Sequence, residues 1–279
     1  VEVERGGQTR RVEAPLVGVS CGAVNSAALL LRSSTDRHRD GLANSSGLVG
    51  RRYMAHVSTM MQGLHPFRKN RIVFQKTVGI NDFYLQGPDG GYPLGHIQSQ
   101  GRTHGVMAQT AVPAWPLWAF NAWVARGIDW LAMTEDLPRV ENRVTLGPDG
   151  RIRLSYRPTN EVAHDRLLGE VKHLLRRLGC RVVFTSSHKG VRFSALGMDD
   201  VSIGQSAKEK NTTHQCGTLC FGTDPRHSVL DPFCRSHDIE NLFVVDASFF
   251  PSSAAVNPGL TIAAQALRVA DHIRKTSLH

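Results

Sequence analysis

Apolar and polar positions follow one another in three different textures along this chain. At the front, Val1-Glu2-Val3-Glu4 alternates, Gly6-Gly7 turns the chain, and Val12 with Leu16-Val17-Gly18-Val19 forms a second apolar run. Residues 1–20 therefore predict two strands. A small-residue turn, Cys21-Gly22-Ala23-Val24-Asn25-Ser26, then leads into Ala27-Ala28-Leu29-Leu30-Leu31. Strand, turn and short apolar helix in that order is how α/β domains bring backbone N–H groups to a ligand. Gly41 to Gly50 is rich in Gly, Ser and Asn and predicts a loop.

The middle, from about 53 to 210, has strand-like stretches at Val57–Met61, Ile72–Phe74 and Val78–Leu85. Val144 to Leu146 and Ile152 to Leu154, joined by Gly147-Pro148-Asp149-Gly150, predict a hairpin. A helix follows, with Asn160 as its cap and Gly179 as its stop. Leu167, Leu168, Val171, Leu174, Leu175 and Leu178 fall on one face at helical spacing. Strands followed by one helix predict an α+β unit with a largely antiparallel sheet. In the last stretch, from about 211 to 279, Leu242 to Asp246 predicts a strand ending in a carboxylate. Ser252 to Asn257 predicts a loop, and Pro258 opens a helix from about 259 to 273. Leu260, Ala263, Ala264, Leu267 and Ala270 share a face of that helix, which predicts close packing there. The fold class expected is thus α/β plus α+β, divided at residues 1–52, 53–210 and 211–279.

Composition narrows this picture. At 279 residues with 41% hydrophobic and 20% charged side chains, the chain can fill a core, and disordered, collagen-like, coiled-coil and disulfide-scaffold classes are excluded. The formal charge is +9, and residues 1–80 hold 12 basic against 5 acidic side chains. That excess could attract phosphates, but no dense basic block interleaved with aromatics appears, so nucleic acid is not an expected partner. Five cysteines without a repeating framework fit reduced thiols and a cytoplasmic setting. All four tryptophans (Trp115, Trp118, Trp123, Trp130) lie within sixteen residues, interrupted by Pro113, Pro116, Arg126 and Asp129. No transmembrane segment is expected there. Packing in a buried helix or loop is the default, with a substrate lid or membrane-surface patch as alternatives.

Two constellations compete for residues 213–237. One is metal: Cys216 and Cys220, then Cys234 and His237, with His214 and His227 nearby, would supply zinc ligands, although paired knuckles usually have two residues between cysteines. The other reads His214-x-x-Gly217-Thr218 together with Val245-Asp246-Ala247-Ser248 and Asn257-Pro258…Leu260-Thr261. These three elements resemble the C-terminal signature of the glucose–methanol–choline (GMC) flavoprotein oxidoreductases. Gly22-Ala23-Val24-Asn25-Ser26…Leu29-Leu30…Ser33 resembles a second signature of that family, and Gly47-Leu48-Val49-Gly50-Arg51…Met54…His56 fits its linking stretch. Ala27 replaces the usual Pro and Ser34 the usual Gly.

The resemblance implies a partial FAD-binding, Rossmann-like domain with an inserted substrate-binding domain. It implies oxidation of an alcohol CH–OH by proton abstraction and hydride transfer to flavin N5, with a small-molecule alcohol as substrate and an electron acceptor it does not specify. His214 becomes the base and Asn257 its partner on the substrate oxygen. Asp246, Ala247, Asn257, Pro258, Gly259, Thr261 and Asn25 become cofactor-binding residues, with the helix opening at Pro258-Gly259 facing the flavin pyrimidine ring. The family's Gly-x-Gly-x-x-Gly unit does not occur here. The expectation is therefore a C-terminal fragment or truncated member whose partner is the nucleotide-binding half, with the basic excess in residues 1–80 facing that half or the FAD phosphates. A non-catalytic binding or assembly subunit, or an inactive remnant without FAD, is the alternative on this line, and a zinc-binding module the alternative off it.

Overall fold

The structure is a computed structural model that describes residues 1–106, 109, 116–187, 189–195, 201–204 and 213–276. Its first strands, β1 (Glu2–Arg5) and β2 (Gln8–Arg11), pair antiparallel around Gly6-Gly7 and are exposed throughout. The expected second strand is therefore two. β2 closes the hairpin, while the apolar run becomes β3 (Val17–Val19) and pairs elsewhere. Next come α1 (Ala23–Arg32), β4 (Val57–Leu64), β5 (Gly79–Ile80) and β6 (His96–Ser99). They are followed by α2 (Leu117–Val124), β7 (Gly127–Thr134), β8 (Arg143–Leu146), β9 (Ile152–Ser155) and α3 (Glu161–Arg177). The chain continues with β10 (Val182–Ser187), β11 (Gly190–Ala195), β12 (Val201–Gly204), β13 (Leu242–Val244) and α4 (Gly259–Thr276).

Seven strands form one sheet in the order β12-β11-β10-β4-β7-β6-β5, every pair antiparallel. The face of α3 predicted from its leucines covers this sheet, with Leu167, Val171 and Leu175 fully buried against Met61, Ile97 and Val183. A second core forms around a parallel pair, in which Leu242, Phe243 and Val244 of β13 lie opposite Val17, Gly18 and Val19 of β3. Leu30 of α1, Phe249 and Val269 of α4 pack into it. A mostly antiparallel sheet with a flanking helix, beside a parallel pair with helices, is the α/β plus α+β class expected.

Several local expectations are corrected. Ile72–Phe74 is not a strand; Val73 and Phe74 are 85% and 77% exposed, so the apolar run has no sheet face to join. Of Val78–Leu85, only Gly79–Ile80 pairs. Asn160 stands at the N-cap of α3 in a left-handed conformation, but its side chain donates to the Glu135 carbonyl rather than to the helix. The face of α4 expected to pack is its solvent face, with Leu260 88% and Leu267 74% exposed. Ile262, Val269 and Ile273 pack instead. The tryptophans do not act together. Trp118 is exposed on α2, Trp123 stacks with Phe120 and leans on Phe184, Trp130 lies on β7, and Trp115 is outside the described residues. No helix among the described residues is long and apolar enough to cross a membrane.

Candidate active site

Motif residues that sit 195 to 224 positions apart in sequence meet where β3 and β13 end side by side. Parallel strands deliver both following turns to the same end of the sheet, the usual place for a ligand crevice. After β13, Asp246 caps a short 3-10 helix, Ala247–Phe249. One carboxylate oxygen accepts from Ser248 N at 2.8 Å and from Ser248 Oγ. The other accepts from Gly22 N at 2.9 Å and from Ser26 Oγ. Asp246 thus ties the turn after β13 to the turn before α1, and it is 6% exposed. Thr218 makes a second tie, donating from Oγ1 to the Ala23 carbonyl at 2.6 Å.

Gly217 fills a place no other residue fits. Its φ is +89°, and a Cβ there would stand 2.4 Å from Met54 Cε and 2.5 Å from the Arg52 carbonyl oxygen. Its N–H donates to the Ala247 carbonyl, and the adjacent Cys216 exchanges backbone hydrogen bonds with Met54. Much of the signature is therefore scaffold, and the side chains it leaves over are the ones that face open space.

Those side chains line a cleft of about 510 Å³ bounded by Gly22, His214, Ala247, Asn257, Pro258 and Gly259, with Lys76 at its edge. His214 has a left-handed backbone, φ 58°, which is uncommon outside glycine and is often found at functional positions. Its Nδ1 lies 2.9 Å from Nδ1 of His56, whose Nε2 lies 3.0 Å from the Ser253 carbonyl oxygen. Burial, with the charges of His56 and Lys76 adding, pushes the His214 imidazole down to about 4, so it is neutral near pH 7. Burial likewise lowers His56. Asn257 donates from Nδ2 to Gln98 Oε1 on β6 at 3.0 Å, which fixes the amide beside the cleft.

At Pro258 the chain turns into α4, whose first intrahelical bond runs from Ile262 N to the Pro258 carbonyl. The N–H groups of the first turn have no intrahelical acceptor and there is no acidic side chain in that turn, so this end is a positive, donor-rich wall of the cleft. Cβ atoms added at Gly22 or Gly259 would meet no protein atom within 4 Å and would occupy cleft space. The structure thus brings together His214, Ala247, Asn257, Pro258 and Gly259, with Asp246 directly behind them. It does not bring Asn25 or Thr261 to the cleft; both are exposed, and Asn25 turns back to the Cys21 carbonyl.

The zinc alternative is corrected by where its ligands point. Cys220 Sγ accepts from Arg52, Cys234 Sγ accepts from Gln265, and His237 Nε2 is paired with Ser228 Oγ. Burial raises the Cys216 thiol to about 12 and the Cys234 thiol to about 11. No group of three or more His, Cys, Asp and Glu side chains among the described residues converges on a point. Sequence reasoning assigned no role to His56, Gln98 or Lys76. His56 stood in the linking stretch without a function, Gln98 lies on an unpredicted strand, and Lys76 carries no sequence signal. A second cavity of about 300 Å³, lined by Arg39, Arg51 and Arg143 among others, contains none of the expected site residues.

Residues 138–266 match the GMC oxidoreductase family. The chain is 32% identical to 6'''-hydroxyparomomycin C oxidase of Streptomyces lividus over 96% of its own length and 47% of that protein. It is 28% identical to 2-methyl-1,2-propanediol dehydrogenase of Mycolicibacterium austroafricanum over 97% of its length and 50% of that protein. It therefore spans about half the length of the curated relatives it matches. In fold it is similar to pyridoxine 4-oxidase from Mesorbium loti, with a TM-score of 0.62 at 19% identity, covering 100% of this chain and 54% of that one. Relatives thus align along nearly the whole chain, and its residues 138–266 carry the C-terminal domain of the GMC oxidoreductase family.

Proposed function

We propose that this chain carries the substrate-facing half of an FAD-dependent oxidoreductase acting on alcohol CH–OH groups. The observation that carries the reading is convergence. A neutral imidazole and, about forty residues further along the chain, a fixed amide beside a helix N-terminus share one cleft. His214 takes the hydroxyl proton of the substrate, which a neutral imidazole does readily near neutral pH. Asn257, held by Gln98, turns its remaining N–H toward the substrate oxygen and sets the direction of the carbon–hydrogen bond. FAD, when bound, supplies the acceptor for the hydride.

The cleft suits such a group on two counts. Gly22 and Gly259 leave room where any side chain would intrude, and the α4 N-terminus offers N–H donors to an electron-rich ring edge. Ala247, beside Asp246, completes the wall along which the ribityl and phosphate portion would lie. Asp246 itself spends both oxygens on protein donors, so its contribution is to hold Gly22 and Ala247 in place. On this reading residues 1–52 and 211–279 form part of the FAD-binding domain, and 53–210 the substrate-binding domain. The outer edge of β3 and the exposed Leu260–Leu267 face of α4 are where the rest of an FAD-binding domain would pack. The substrate class, small hydroxylated molecules, follows the relatives named above. Five unpaired cysteines, four of them buried, fit a reducing compartment.

The test is the visible spectrum of the protein with added FAD, followed by anaerobic addition of a small polyol. A bound flavin band that bleaches supports the reading. A protein that takes up no flavin, alone or with the nucleotide-binding portion of a full-length relative, overturns it.

A further inference from the structure

His56 is 1% exposed and has both ring nitrogens engaged. A carbonyl oxygen can only accept, so the 3.0 Å contact with Ser253 O requires the proton of His56 to be on Nε2. Burial keeps this ring neutral, so Nδ1 is a lone pair. The 2.9 Å approach of the two Nδ1 atoms is then a hydrogen bond only if His214 is the donor. His214, neutral as well, has its one proton on Nδ1 and a lone pair on Nε2, which has no hydrogen-bond partner among the described residues. Its ring lines the cleft.

We propose that His56 is a positioning residue that relays the Ser253 carbonyl to His214, selecting the Nδ1–H tautomer and leaving Nε2 as the proton acceptor in the cleft. A solvated imidazole prefers the opposite tautomer, with its proton on Nε2, in which His214 would present a donor where a base is needed. The anchor at the far end of the relay is rigid. Ser253 is 1% exposed, and its Oγ accepts from Asp136 N at 2.8 Å and donates to the Asp136 carbonyl at 3.1 Å. Besides burial, His56 and Lys76 act on His214, and the Ser253 carbonyl acts on His56. Protonating His56 removes the lone pair the relay needs, and protonating His214 fills the Nε2 lone pair left for the substrate; a charge on one ring opposes a charge on the other. The consequence for catalysis rests on the reading of His214 as the base; the tautomer does not.

The tautomer is read directly from two-bond proton–nitrogen correlation spectra of the ¹⁵N-histidine-labelled chain near neutral pH. His214 is identified by its loss in His214→Gln. His214 should show a pyrrole-type Nδ1 and a pyridine-type Nε2, and His56 the reverse. His56→Gln keeps a donor for Ser253 but removes the acceptor, and should move His214 to the Nε2–H form. His56→Asn, whose carbonyl can stand where Nδ1 stood, should restore the original form. In the flavin-bound protein, His56→Gln should slow flavin reduction by roughly 10²-fold, the scale of losing a general base to the wrong tautomer, with partial rescue in His56→Asn. A wild-type His214 with its proton on Nε2, or a shift alike in both variants, would overturn the proposal. If the tautomer is as stated but alcohol oxidation survives His214→Gln, the functional reading falls and the relay stands. If His214→Gln is inactive yet wild-type His214 carries its proton on Nε2, the reverse holds.

Discussion

Replacing Gly217 by Ala tests whether the signature glycine is scaffold. Two costs add. A side chain at φ +89° is strained by about 1–2 kcal/mol. Its Cβ would stand 2.4 Å from Met54 Cε and 2.5 Å from the Arg52 carbonyl oxygen. Carbon contacts settle near ~3.5 Å, so roughly an ångström must be found. The Met54 methyl can swing aside, but the Arg52 carbonyl is backbone and borders the Met54–Cys216 bridge. Overpacking of this kind costs about 1–3 kcal/mol. The sum is about 4 kcal/mol, a large share of the roughly 5–15 kcal/mol by which a folded domain is stable. Chemical denaturation followed by circular dichroism measures it. Gly18→Ala is the control, since a Cβ there meets nothing within 4 Å and its φ is not left-handed; its change should be within about 0.5 kcal/mol. A Gly217→Ala loss below about 1 kcal/mol, or one equal to the control, would refute the reasoning.

Other outcomes follow from the same contacts. Asp246→Asn puts an amide against Gly22 N, Ser26 Oγ, Ser248 N and Ser248 Oγ, all donors, and should destabilise by about 3 kcal/mol in urea unfolding; a change under about 1 kcal/mol would contradict the tie. Leu260→Lys with Leu267→Lys should change stability by less than about 1 kcal/mol, because both side chains are already in solvent, whereas Val269→Lys should be severely destabilising. His214 and His56 are harder to protonate folded than unfolded, so the stability they confer is complete above about pH 6.5 and is lost as pH falls from there toward 4. The urea midpoint followed across that window should fall less steeply in the His56→Gln, His214→Gln double variant; an unchanged slope would count against the shifts.

What the sequence made legible was local. The hairpin at 143–155 announced itself through Gly147-Pro148-Asp149-Gly150, and α1, α3 and α4 through helical spacing and their Gly and Pro punctuation. Strands β6, β7 and β10 were not legible. They lie inside the sheet, β6 buried at every position and β7 carrying Asp129 and Trp130, so neither shows a clean alternation. The solvent face of α4 was misjudged because the helix has two apolar stripes, and periodicity does not say which one the core takes. His214 and Asn257 were singled out through their motif, and both line one cleft. The structural work of Gly217, Thr218 and Asp246 could not be separated from chemistry without coordinates, because Met54, Ala23 and Gly22, which they meet, are more than a hundred residues away.

On the proposed function, an alcohol gives up its proton in the cleft around His214 as its hydride leaves for flavin. Stopped-flow reduction of the FAD-bound protein by substrate, without oxygen, measures that step alone. His214→Gln should slow it by roughly 10²-fold or more while leaving the flavin spectrum and the unfolding midpoint unchanged near neutral pH. Reduction at the wild-type rate would remove His214, and with it the proposed site, from the chemistry.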